Sequence, residues 1–142
     1  MTVAIGLLAG VALSLALVHF ARRKGPGSAQ RIYAVGLFIA AVVYVGLAMA
    51  GRASFQWLTL ETLGVVLFGA AAFAGVRRWP VVLAVGWSAH VAWDVILHLD
   101  GPGAAYTPAW YPWLCVSFDL VVAGAVLAEA RRRNGPSLWP AA

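Results

Sequence analysis

The segment Gly86-Trp87-Ser88-Ala89-His90-Val91-Ala92-Trp93-Asp94-Val95-Ile96-Leu97-His98 sets two histidines and an aspartate four residues apart inside an otherwise apolar run. On a helix, positions 90, 94 and 98 share one stripe, because residues four apart are neighbours on a helix face. The run is also long and apolar enough to cross a bilayer, where ionisable groups are costly and tend to mark function. The segment therefore predicts a membrane helix that carries a polar stripe.

The rest of the chain agrees. Of its 142 residues, 63% are hydrophobic and only 11% charged. Soluble domains carry about a quarter charged residues, so this chain is not built to face water on all sides. Its formal net charge of +5 could suggest nucleic acid. The basic residues instead fall in short blocks between apolar runs, which is the pattern of membrane topology and excludes a nucleic-acid partner. The single cysteine, Cys115, rules out a disulfide within the chain and a zinc cage built of cysteines.

Five spans follow in order, at about residues 3–21, 31–50, 55–76, 80–99 and 112–130, within one all-α transmembrane domain of residues 1–133. The first apolar run is followed, not preceded, by its cations Arg22-Arg23-Lys24, so it is a retained span and not a cleaved signal. Gly6 and Gly10 form one GxxxG, a helix-packing signal. His19 is expected at the interface, beside those cations. Gly25-Pro26-Gly27-Ser28 is expected as a loop. Pro80 and Pro112 open the fourth and fifth spans, where proline suits the first turn. Residues 134–142 are expected as a loosely ordered cytoplasmic tail.

An odd number of spans puts the termini on opposite sides. Arg22, Arg23, Lys24, Arg31, Arg77, Arg78, Arg131, Arg132 and Arg133 share one side, leaving Arg52 on the other. The positive-inside rule then gives an outside N-terminus and a cytoplasmic C-terminus in a multi-pass protein of the inner (plasma) membrane.

Among the acids, Glu129 is expected to pair locally with Arg132 or Arg133. Glu61, Asp94 and Asp119 need another account. Counted along their helices at about 1.5 Å per residue, all three lie roughly 7–11 Å below the outer surface, on three different spans. No lysine or arginine shares that layer. Three repelling carboxylates can take up protons, pair with charged histidine or hold a metal cation. Zinc, iron, manganese and copper all accept a His/Asp/Glu ligand set. His90 and His98 are roughly 12 Å apart along an α-helix, too far to grip one ion without distortion. One ion held by Asp94, one histidine, Glu61 and Asp119, or two ions, or an ion with a supporting histidine, all remain open.

The plain alternative is hydrogen-bonded glue between helices, worth about 0.6–2 kcal/mol per pair. His98 and Asp119 could also be interfacial residues reaching water. For one residue that reading suffices; for five at one depth a functional site is the better account. Trp87 and Trp93 are expected mainly as packing, and Cys115 as a small buried hydrophobe.

With those residues in view, the chain resembles a family of small bacterial integral-membrane proteins catalogued as a domain of unknown function. That family's pattern is a Gly-Trp-x-x-His-x-x-Trp-Asp-x-x-x-His core, a Pro/Gly loop and a Cys-x-x-x-Asp segment. Gly86, Trp87, His90, Trp93, Asp94 and His98 match the core, and Cys115 and Asp119 match the later segment. Glu61, after Trp57, is similar to an upstream glutamate. Leu97-His98 stands where the family often has two adjacent histidines. The resemblance implies the fold and the site residues, and no activity.

Three functions stay open. A membrane enzyme acting on a lipid-soluble substrate would use Asp94 as central ligand or base, Glu61, Asp119 and His98 as co-ligands, and His90 as proton shuttle or support. A proton or metal-ion transport protein would use the same stripe as a path. A structural subunit of a membrane complex would use it as glue. Five small helices with Gly/Ala faces could also form a homo-oligomer.

Overall fold

A computed structural model of the chain describes residues 2–134, with side chains to residue 132. The described residues form long helices and no strand. The helices are α1 Thr2–Arg23, α2 Pro26–Ala50, α3 Phe55–Arg77, α4 Pro80–Trp93 and α5 Tyr111–Asn134. A π-helical segment, Asp94–Leu99, prolongs α4 into a rod of 20 residues, Pro80–Leu99. All five rods are long and apolar enough to cross a bilayer. Helix is the expected state there, since hydrocarbon offers no partner for a free N–H or C=O. The expected tail lies, from residue 135 on, outside the described residues.

The turns are tighter than the sequence suggests. Only Lys24 and Gly25 separate α1 from α2, and the expected loop at 25–28 is already helix from Pro26. Gly25 turns the chain at φ 83°, a left-handed conformation that glycine adopts without strain. Pro26 then starts the helix at a position whose N–H is not needed. At the other end of α2, Ala53 N–H donates to the Ala48 carbonyl at 2.8 Å and Arg52 N–H to Met49 at 3.2 Å. That is a Schellman-type stop, with Arg52 in the left-handed position at φ 54°.

Each helix packs on its neighbour in sequence, and α5 closes the ring on α1. The GxxxG lies on that closing face. A Cβ on Gly6 would stand 2.6 Å from the Trp110 carbonyl, and one on Gly10 would strike the Leu114 carbonyl and the Ser117 hydroxyl. Ser117 in turn donates to the Leu7 carbonyl of α1 at 3.0 Å. Small residues thus bring two backbones together where burying apolar surface gives no advantage over lipid. Leu37, Leu83, Trp87 and Val122 fill the centre, while Leu8, Val35, Leu63, Phe73 and Ile96 point outward. An outward apolar surface on this scale is that of a protein surrounded by lipid.

Glu129 pairs across helices. Its carboxylate takes the Arg22 side chain of α1 at 3.0 Å and the Tyr33 hydroxyl of α2 at 3.2 Å. The packing of α1 on α5 brings Arg22, at the end of α1, beside Glu129.

Candidate functional site

The polar layer sits in the half of the bundle away from the arginine-rich end. Glu61, His90, Asp94, His98 and Asp119 are all buried there, each 2% exposed or less. The interfacial reading of His98 and Asp119 is thereby excluded. The layer divides into two groups.

The first group joins α4 and α5. His90 Nδ1 lies 2.7 Å from Asp119 Oδ2 and 3.5 Å from Asp94 Oδ2. His90, Asp94 and Asp119 each offer a ligand atom, and these atoms lie within 4.8 Å of one another. His90 Nε2 and both oxygens of Asp94 have no hydrogen-bond partner among the described residues. Phe68 of α3 meets the His90 ring edge-to-face at 4.7 Å between centroids.

The second group joins α3, the π-helical segment and the following loop. Glu61 Oε1 lies 2.9 Å from His98 Nε2 and accepts the Tyr106 hydroxyl at 2.6 Å. Its other oxygen accepts the Trp93 indole N–H at 3.2 Å. His98 Nδ1 is left without a partner among the described residues. Tyr106 follows the short 3-10 turn Pro102–Ala105, which folds back over the site. Gly103 makes that approach possible: a Cβ there would stand 2.6 Å from the Leu97 carbonyl and 3.0 Å from His98 Nε2. Burial, and then the bond to Glu61, push the Tyr106 phenol above its ordinary range, so it keeps its proton and donates.

Residues 1–132 match the family described as "Family of unknown function (DUF6010)". The chain belongs to that family. No curated protein and no solved structure matches it. Membership supplies no chemistry, so the reading rests on the geometry.

That geometry gathers all five residues picked out in the sequence, in an unexpected grouping. Glu61 does not join Asp94 and Asp119; it holds His98 in the neighbouring group. The two histidines leave the same rod one above the other and meet different helices. His90 meets Asp119 of α5, while His98, in the π-helical segment, meets Glu61 of α3. Tyr44 of α2 was not foreseen. Fully buried, it stacks on His98 at 3.8 Å and lies 5.9 Å from His90, between the two groups. Its hydroxyl lies toward Asp94 and Cys115. Trp93, expected mainly as packing, is a hydrogen-bond donor to the site. Trp87 packs on Phe118 at 5.8 Å, and Cys115 is buried beside Tyr44 and Tyr111.

Proposed function

We propose that this chain is a metal-binding enzyme of the plasma membrane, whose site works in the outer half of the bilayer on a lipid-soluble substrate. Nine of ten basic residues at the opposite end favour a cytoplasmic arginine-rich face and an outside N-terminus. The observation that carries the metal reading is Asp94. It is fully enclosed, with His90 Nδ1 at 3.5 Å and the Tyr44 hydroxyl toward it, and stands beside a second buried aspartate. Isolating one charge in such a place costs several kcal/mol, and two aspartates sharing one histidine remain short of positive charge. A divalent cation held by His90, Asp94 and Asp119 neutralises both, with a ligand set that suits zinc, iron, manganese or copper. Once bound, the cation would polarise an oxygen on the substrate.

The second group supplies proton chemistry. Glu61 fixes His98 through Nε2 and leaves Nδ1 free, the arrangement by which a carboxylate orients a catalytic imidazole. Tyr106 and Trp93 hold the carboxylate in place. Transport is the weaker reading, because Leu37, Leu83, Trp87 and Val122 fill the core below the site with apolar surface.

Elemental analysis of the purified protein tests the metal directly. One divalent ion per chain is expected, falling at least about tenfold in Asp94→Ala, with helix content by circular dichroism unchanged. A wild-type protein that carries no metal and takes up none of the four ions when they are supplied would end this reading.

A further inference from the structure

A groove between α3 and α4 runs along the lipid-facing surface from the site toward the arginine-rich end. It encloses about 280 Å³ and is lined by Leu67, Phe68, Ala71, Val85, Ala89 and Trp93, among other apolar residues. Its hollow comes from small side chains. A Cβ on Gly86, at its floor, would stand 2.8 Å from Leu37 and 3.1 Å from Ala71. Val82, Ala89 and Trp93 follow one side of the α4 rod, a length of about 16 Å at the rise of an α-helix.

Two of its walls belong to the site as well. Phe68 meets the His90 ring edge-to-face, and Trp93 donates to Glu61. The groove is therefore apolar along its length and polar only behind its upper end. The comparably sized groove between α2 and α3, about 360 Å³ and lined by Val35, Phe38, Phe73 and Val76, has none of the site residues on its walls. We propose that the α3/α4 groove seats one hydrocarbon chain of the substrate, with the substrate's polar end against Trp93 and Glu61. The polar end then lies in the outer half and the tail points inward, the orientation of an outer-leaflet lipid. A substrate enters sideways from the membrane, past Phe68 and Trp93, with no path through water. The inference rests on the proposed function in taking the polar layer as the reactive end.

Photolabelling tests it. The full chain is reconstituted in phosphatidylcholine vesicles with palmitic acid carrying a diazirine at mid-chain, and labelled peptides are mapped by mass spectrometry. Label is expected on Leu67–Ala71 and Val82–Ala89, displaced by excess unlabelled palmitic acid. Ala89→Trp fills the groove from an exposed position outside the polar layer. It should cut that label about fivefold or more while leaving the α2/α3 groove labelled as before. Label spread evenly over the lipid-facing helices, or unmoved by competitor and by Ala89→Trp, would mean bulk lipid only and would overturn the proposal. So would Ala89→Cys chains that cross-link to one another with a bifunctional maleimide, which would make the face a contact between copies. Metal content measured on the same samples keeps the two readings apart, since loss of the groove leaves the ion count untouched.

Discussion

At the scale of single residues, Glu61 is the hinge of the site. Three donors from different places in the fold converge on its two oxygens. Glu61→Gln replaces one acceptor oxygen with a donor, so one of the three must face another donor in a buried place. The cost is about 1–3 kcal/mol, read as a lower thermal midpoint in detergent, whereas Tyr106→Phe loses one bond and costs about 0.5–1.5 kcal/mol. Equal stability of wild type and Glu61→Gln would show that the carboxylate is not what holds the layer together. The charged members were plain in the sequence, because Glu61, Asp94 and Asp119 stand out in apolar runs with no basic partner at their depth. Tyr44 and Tyr106 were not. A tyrosine in a membrane span or at its edge is common enough to pass as packing or an interface anchor. Counting residues along a helix gives depth; it does not give the rotation that decides which carboxylate meets which histidine.

At the scale of elements, the π-helical end of α4 and the loop above it act as one piece. Pro102–Ala105 lies against Asp94–Leu99 at distances that admit no side chain on Gly103. Gly103→Ala therefore pushes the loop off His98, at a cost of about 1–3 kcal/mol, and draws the Tyr106 hydroxyl away from Glu61. Tyrosine fluorescence cannot isolate that change among seven tryptophans. Hydrogen exchange over residues 100–110 can, and it should rise in Gly103→Ala while exchange in α1 and α2 stays as it was. The spans themselves were legible from hydropathy and from the arginine blocks that close them. The π-helix was not, since Asp94–Leu99 contains no proline or glycine to announce a change of winding. Nor was the brevity of the α1–α2 turn, because Gly-Pro-Gly-Ser is also a common loop composition.

At the scale of the whole molecule, the described helices carry two clusters of paired ionisable side chains, joined by a largely apolar middle. One is the buried layer; the other is the Arg22–Glu129–Tyr33 cluster among the basic residues. The proposed orientation makes a plain prediction. With Cys115→Ser as background, a cysteine at Ala104 should react with a membrane-impermeant maleimide on intact cells, and one at Ser28 only after the membrane is opened. The reverse pattern would invert the topology and move the site to the cytoplasmic half. Cys115 itself is buried and should stay unlabelled in the folded protein.

The division of the layer also fixes an order of assembly. A chain made from its N-terminus delivers α3 before α4 and α5 last. When α4 leaves the ribosome, Glu61 is already in the membrane to receive Trp93 and His98. Asp119, about twenty residues behind, is then still inside the ribosome, so His90 and Asp94 leave it without their partner. They gain it only when α5 arrives and, in the same step, closes on α1 through Ser117 and Leu7. The Glu61 group is thus the first to meet its partners, and the His90–Asp94–Asp119 triad is the last part to be built.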